Sequence, residues 1–237
     1  LLEEALGHKR AGRKQQAESL CKQVLASHPG HAQALHCLGE LAFESNQFEL
    51  ALSLFTQALE TAPNEASHYL SVGVSLLQLN RNREATVALR KAVQLKPTLA
   101  EAQFRLGLTL TYAGDLLGGF DALEQAVRLR PRRFEFQRCF ALVLKLRRER
   151  ERAVSHYEKA LQIEPDSFEC WVELSGALRD LHRFDAAQSA ARRAMAINPS
   201  SPQAAEELGW SLYLDDKVDD AIEAFRHALR LNANYTP

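Results

Sequence analysis

The sequence lacks several features that mark whole classes of protein. No run of eighteen or more apolar residues is present, so no segment has the length of a transmembrane helix. No basic start followed by an apolar stretch and a small-residue cleavage site indicates export. The four cysteines form neither a CxxC pair nor a paired disulfide framework. We therefore expect a cytoplasmic protein whose thiols pack as small apolar groups.

An excess of charge of one sign is also missing. Lys and Arg together number 29 and Asp and Glu number 30, which gives a net charge of −1. This balance argues against a general polyanion binder. No linker rich in Pro, Gly or Ser divides the 237 residues, although the chain is longer than a usual single globular core. The composition thus predicts one modular, elongated domain over 1–237.

What the sequence does contain is a repeat of thirty-four residues. Six of its eight prolines fall on this period, at Pro29, Pro63, Pro97, Pro131, Pro165 and Pro199. Within each unit, three further places are nearly always small, such as Gly39, Ala51 and Ala58 in the second unit, as closely crossing helices require. Apolar residues follow helical spacing in both halves of a unit. Each unit therefore predicts two amphipathic helices, the second of which ends at the proline.

A residue that tolerates left-handed backbone separates the two helices in most units. Five units have Gly, Asn or Asp at this place: Gly12, Asn46, Asn80, Gly114 and Asp216. Arg148 and His182 occupy the same place in two other units. For those two turns we expect either strain or a different construction.

The repeat resembles the tetratricopeptide repeat (TPR) over essentially the whole chain. The segment "ALHCLGELAFESNQFELALSLFTQALETAPN" matches that family at every signature place, and Trp171 stands where the family has its tryptophan. The resemblance implies an all-α, right-handed superhelical solenoid of antiparallel helix pairs with a concave groove. About seven units are expected, namely 1–31 (partial), 32–65, 66–99, 100–133, 134–167, 168–201 and 202–235.

The resemblance also implies which residues line the groove, because the first helix of each repeat contributes to it at fixed positions. Carried over to this chain, these positions predict a binding surface of Leu70, Val74, Leu77, Phe104, Arg105, Leu108, Tyr112, Arg138, Leu142, Lys145, Arg179, Trp210 and Tyr213. We interpret the chain as a non-catalytic scaffold that binds a partner peptide or helix with apolar side chains, and an acidic flank is left open. The alternative is that several of the apolar residues pack between neighbouring repeats.

The stretch "RLRPRRFEFQRCFALVLKLRRERER" at 128–152 holds ten basic residues against three acids. Some of its arginines fall at groove positions and predict an anion-binding patch. Because Glu101 lies four residues before Arg105 and Glu135 lies three before Arg138, pairing within helices is the competing interpretation. A nucleic-acid partner is not expected, since aromatic residues are not interleaved with the basic ones.

The last repeat is acidic, and no polar capping helix is recognisable after it, so we expect self-association through this uncapped edge. The start of the chain resembles bacterial TPR proteins related to the repeat arms of O-linked N-acetylglucosamine transferases. This leaves open a substrate-recruiting arm of a larger glycosyltransferase or sulfotransferase, or an adaptor of an assembly or secretion machine.

Catalytic motifs are not found, so we expect no enzyme activity and no cofactor. Glycine-rich nucleotide loops and the HExxH motif are absent. The segment "SHPGHAQALHC" at 27–37 concentrates three histidines and a cysteine, but its spacing fits no standard zinc pattern. The sequence predicts no metal site there.

Overall fold

The computed structural model of the protein describes residues 1–232, which form fourteen α-helices and no strand. The chain end, including the last three residues of the predicted unit 202–235 and the segment "YTP", lies outside the described residues. The helices are α1 (Leu2–Arg10), α2 (Lys14–Ser27), α3 (Ala32–Glu44), α4 (Phe48–Thr61), α5 (Ala66–Gln78), α6 (Asn82–Leu95), α7 (Ala100–Tyr112), α8 (Leu116–Leu129), α9 (Phe134–Leu146), α10 (Arg150–Ile163), α11 (Phe168–Arg179), α12 (Phe184–Ile197), α13 (Pro202–Leu214) and α14 (Val218–Leu231).

Every predicted repeat contains one odd-numbered and one even-numbered helix. From the second repeat on, the first helix of each begins at the first residue of the predicted unit: Ala32, Ala66, Ala100, Phe134, Phe168 and Pro202. Short turns join the helices. Each of the six prolines that recur every thirty-four residues follows the end of an even-numbered helix. The all-α fold built from helix pairs is therefore confirmed.

The chain divides into two compact units, Leu1–Asp115 with α1 to α7 and the part from Leu116 onward with α8 to α14. In the first unit consecutive helices pack in chain order, and α1, α3, α5 and α7 also contact one another in succession. In the second unit α9, α11 and α13 do the same. The first helices of the repeats thus form a continuous wall within each unit. Whether the chain folds as a single domain stays a prediction.

Small residues let the two helices of a repeat approach closely. A Cβ atom placed on Gly39 of α3 would lie 2.5 Å from Cε1 of Phe55 on α4. A Cβ on Gly73 would lie 2.7 Å from Cγ of Leu89. Such distances are too short for two carbon atoms, so an aromatic or branched side chain of the second helix fills the place of the missing one.

The turns between the helices of a repeat all contain one residue with left-handed backbone. This holds where the sequence has Gly, Asn or Asp, and equally at Arg148 (φ 63°) and His182 (φ 58°). The latter two turns are therefore built like the others, so of the two expected outcomes the structure has strain and not a different construction. Each non-glycine residue there has a conformation that L-residues adopt at some cost.

The carbonyl group of the periodic proline accepts a side-chain hydrogen bond between three successive pairs of repeats. Gln103, Gln137 and Trp171 each occupy the fourth position of their repeat. Gln103 Nε2 donates to the carbonyl oxygen of Pro97 at 3.1 Å, and Trp171 Nε1 donates to that of Pro165 at 2.8 Å. Gln137 Nε2 donates in the same way to the proline six residues before it. The family's tryptophan position thus joins the first helix to the preceding turn.

The cysteines are not in disulfides within residues 1–232, and Cys21, Cys37 and Cys170 are buried. Burial raises the pKa of the Cys170 thiol to about 12, so this thiol stays protonated. The expected packing of thiols as apolar groups is confirmed for these three. Within residues 1–232, the structure contains no helix with the length and apolar character needed to cross a membrane. The cytoplasmic location stays a prediction.

Candidate partner-binding surface

A pocket of about 270 Å³ opens on the first-helix wall of the first unit. Four apolar side chains line it, namely those of Phe43, Phe55, Leu70 and Val74. The wall is formed by α3, α5 and α7, and Phe55 of α4 reaches it because Gly39 leaves room for the ring. The repeat architecture thus gives this unit a concave apolar site.

Charged groups surround the apolar part of the pocket, and each is paired within the chain. Arg105 Nε lies 2.7 Å from Oε1 of Glu101. Glu44 Oε2 lies 2.9 Å from the ammonium group of Lys14, and Glu40 forms an ion pair with Lys9. The rim is therefore polar but locally neutral. Such a site favours an apolar side chain at its centre and polar backbone at its edge.

Two imidazole rings lie beside this pocket. His36 Nε2 is 3.0 Å from Oγ of Ser71, and the ring centroid of His36 is 4.6 Å from that of His68. Burial lowers the pKa of His36 to about 4, although the nearby Glu40 carboxylate acts in the opposite direction. Burial also lowers the pKa of His68. Both rings are therefore neutral at pH 7 and belong to the packed joint between α3 and α5.

No group of three or more His, Cys, Asp or Glu side chains within residues 1–232 is arranged to hold a metal ion. Two of the three histidines of the "SHPGHAQALHC" segment make other contacts. His31 is the N-cap of α3 and accepts a hydrogen bond from the backbone NH of Ala34, while His36 contacts Ser71.

The predicted apolar binding residues divide into accessible and buried ones. Leu70 and Val74 line the pocket, and Tyr112 at the end of α7 is 82% exposed. Leu77, Leu108 and Leu142 are half-buried on the first-helix walls of their units. Phe104 requires a correction, as only 6% of it is exposed. Its large ring lies in the core, where it is removed from water, and it offers a partner no surface.

The predicted cationic binding residues are held in contacts within each unit. Arg138 Nη1 lies 2.9 Å from Oε1 of Glu173, and Arg179 Nη1 lies 2.6 Å from Oε2 of Glu207. Burial raises the pKa of both carboxyl groups, while the paired arginines favour their charged form. The ammonium group of Lys145 lies against Gly176, only 3.3 Å from where a Cβ atom would be.

The arginine-rich stretch at 128–152 is largely neutralised by the chain itself. Six of its nine arginines lie in ion pairs, which are Arg128–Glu124, Arg133–Glu135, Arg138–Glu173, Arg147–Glu149, Arg150–Asp180 and Arg152 with both Glu149 and Glu124. Arg147 also stacks 4.0 Å over the ring of Phe120. The structure favours the interpretation of a paired, mixed-charge surface over an anion-binding patch.

The last predicted binding residues, Trp210 and Tyr213, are exposed on α13. Their side chains are 44% and 51% accessible, and their ring centroids lie 6.3 Å apart at 80°. The ring of Phe225 on α14 packs edge-on against that of Trp210, with 5.2 Å between the two ring centroids.

Several pocket residues were missed in the sequence. Glu40, Phe43 and Glu44 occupy the ninth, twelfth and thirteenth positions of their repeat, which are groove positions in this family. The register that located Leu70 and Val74 would have located them too. The ion pairs between repeats were harder to predict from the sequence. The pattern that indicates them is an acidic residue about one repeat length after each arginine.

Comparison with protein families agrees with this architecture. Two family profiles, both described as tetratricopeptide repeat, match residues 10–72 and 172–236, which together make 128 of the 237 residues. The chain belongs to the tetratricopeptide repeat family. A comparison with curated protein sequences finds no match. The kinship with O-linked N-acetylglucosamine transferase arms is thus not confirmed.

Solved structures share the TPR fold at low sequence identity. The TPR protein YrrB, described as having an unusual peptide-binding site, is 19% identical with a TM-score of 0.71, covering 76% of this chain and 93% of its own. PilF of Pseudomonas aeruginosa is 21% identical with a TM-score of 0.77, covering 86% and 92%. The Cut9–Hcn1 hetero-tetramer of APC/C matches at 18% identity and a TM-score of 0.69, covering 97% and 45%. At these identities the likeness shows the fold.

Proposed function

We propose that this TPR protein is a non-catalytic scaffold that binds a partner peptide or helix on the first-helix walls of its repeats. The observation that carries the proposal is the pocket of the first unit, with its apolar centre and its paired, polar rim. A site of this kind recognises shape and apolar surface. Binding is therefore the use that its apolar centre and paired rim support best.

The pocket volume suits one large apolar side chain or two smaller ones. Full burial of a Leu or Phe side chain contributes about 1.5–3 kcal/mol. A single anchor of this size gives weak binding, so the partner needs further contacts along the wall. Tyr112, which is 82% exposed on α7 of the same unit, is available for one of them.

We retain the expectation that the partner presents apolar side chains, and we do not retain the expectation of an acidic flank. Arg105, Arg138 and Arg179 each already contact a carboxylate of this chain. An acidic partner residue would have to replace that carboxylate, which yields little net free energy. YrrB is described as having a peptide-binding site, and the same mode of use is proposed here for this protein.

The test compares one substitution at two places in the first unit. Val74→Glu puts a carboxylate into the pocket, whereas Val87→Glu puts it on α6, where Val87 is 70% exposed. Immobilised wild type and both variants capture proteins from the native lysate, and the captured proteins are identified by mass spectrometry. We expect one set of proteins to be lost with Val74→Glu and kept with Val87→Glu. Circular dichroism confirms equal helicity. Equal capture by all three would refute the pocket as the binding site.

A further inference from the structure

The exposed face of α13 combines aromatic rings with acidic side chains. Glu206, Trp210 and Tyr213 are spaced i, i+4, i+7 and therefore share one face of the helix. All three are exposed, and the two rings stand nearly perpendicular at 80°. Asp216 follows at the end of the helix and is also exposed. This face presents π-surface and negative charge together.

The negative charge of this repeat is only partly compensated. Residues 202–232 contain seven Asp and Glu against three Lys and Arg. Glu207 forms an ion pair with Arg179, and Asp215 forms one with Lys217 at 2.6 Å. Within the described part of the chain, Glu206 and Asp216 are in no ion pair. Arg179 and Lys217 are thus already paired with other carboxylates, while Glu206 and Asp216 have no such counter-charge within residues 1–232.

The rings are held in place before any partner arrives. Gly209 leaves space for the ring of Phe225, since a Cβ atom there would lie 2.7 Å from Cδ1 of that ring. Phe225 in turn contacts the Trp210 ring at 5.2 Å and 77°. Because Trp210 packs against both Phe225 and Tyr213, binding there orders little that is not already ordered.

We infer that the α13 face formed by Glu206, Trp210 and Tyr213 binds a cationic side chain, arginine or lysine, of the partner segment. A guanidinium or ammonium group is attracted to the negative face of an aromatic ring and to the carboxylate beside it. A purely apolar side chain would instead cover Glu206 without giving it a counter-charge, which costs free energy. The inference rests on the proposed scaffold function and names a partner chemistry for it, a cationic residue flanked by apolar ones.

The test uses Trp210 as its own reporter. The chain has two tryptophans, and Trp171→Gln removes the other one. Gln at this place keeps the hydrogen bond to the proline carbonyl, as Gln103 and Gln137 do in their repeats. In this background, Trp210 emission is titrated with the peptide acetyl-Leu-Arg-Leu-Arg-Leu-amide. The same peptide with both arginines replaced by citrulline is neutral and nearly equal in shape.

We expect the arginine peptide to bind about two- to five-fold tighter than the citrulline peptide, with the difference shrinking as salt is added. Glu206→Gln should reduce this preference. Glu223→Gln, which removes the same charge from α14, should leave it unchanged. Tyr213→Leu should weaken the arginine peptide more than the citrulline peptide.

Equal affinity for both peptides, or no change in Trp210 emission with either, would overturn the inference. These outcomes are separate from a failure of the proposed function. If Val74→Glu still abolishes capture of a partner while the two peptides bind equally, the scaffold function stands and cation recognition by α13 falls.

Discussion

Gly39 allows a direct test of how the two helices of a repeat fit together. Its missing side chain makes room for the ring of Phe55, which is 2% exposed and whose Cε1 would lie 2.5 Å from an added Cβ atom. Gly39→Ala therefore forces the ring or the helix to move. Gly7→Ala is the matched control, because nothing lies within 4 Å of a Cβ atom there and the residue is also in a helix.

The expected magnitude follows from two opposing terms. Replacing Gly by Ala inside a helix stabilises it by about 1 kcal/mol. Inserting a methyl group into a filled core costs about 1–3 kcal/mol. Gly7→Ala has only the first term and should increase the free energy of unfolding by about 1 kcal/mol. Gly39→Ala has both terms and should lie about 1–3 kcal/mol below that control.

The assay is urea unfolding followed by circular dichroism, with the double variant Gly39→Ala, Phe55→Leu included. A smaller side chain at Phe55 leaves room for the methyl group, so the two substitutions should compensate each other by at least about 0.5 kcal/mol. If Gly39→Ala were as stable as Gly7→Ala, or if the double variant showed no compensation, the close packing of α3 on α4 would be refuted.

Three further predictions concern the turns, the buried histidines and the helix crossings. Arg148→Gly should raise the free energy of unfolding by about 1 kcal/mol, because the turn needs left-handed backbone, and an unchanged urea midpoint would contradict this. His36 and His68 are neutral when folded, so stability should be complete above pH 6.5 and fall as the pH drops towards about 4, where His36 takes its proton in the folded state. His36→Gln should flatten this fall in thermal melts, and the loss that remains includes His156, whose pKa burial lowers to about 4. Ala92→Leu, at a fully buried crossing, should cost about 1–3 kcal/mol, and an unchanged melting temperature would show that the helix register is wrong.

The period of thirty-four residues made the all-α fold of helix pairs predictable. The small, apolar and turn positions recur in every unit. A residue that departs from the pattern in one unit therefore does not shift the predicted register. The predicted starts at Ala66 and Phe134 are the observed starts of α5 and α9. The turn at Arg148 is one place where the residue type did not decide the construction, since strain and a different turn were both expected there and the structure has the left-handed turn of the other repeats.

The binding surface was less predictable because position in a repeat does not determine exposure. Phe104 and Tyr112 are both at groove positions of one helix, yet one is 6% exposed and the other 82%. The pairing of Arg138 with Glu173 is a contact between repeats, which one repeat's pattern does not contain.

The left-handed turn has a consequence for how such a chain grows. Gly, Asn, Asp, Arg and His all fill the same backbone angle, between 58° and 87°, at seven places. The turn between the two helices of a repeat therefore accepts side chains of very different chemistry. A duplicated thirty-four-residue segment would bring its own left-handed turn with it, so this turn puts little constraint on the residues that the repeats present at their surfaces.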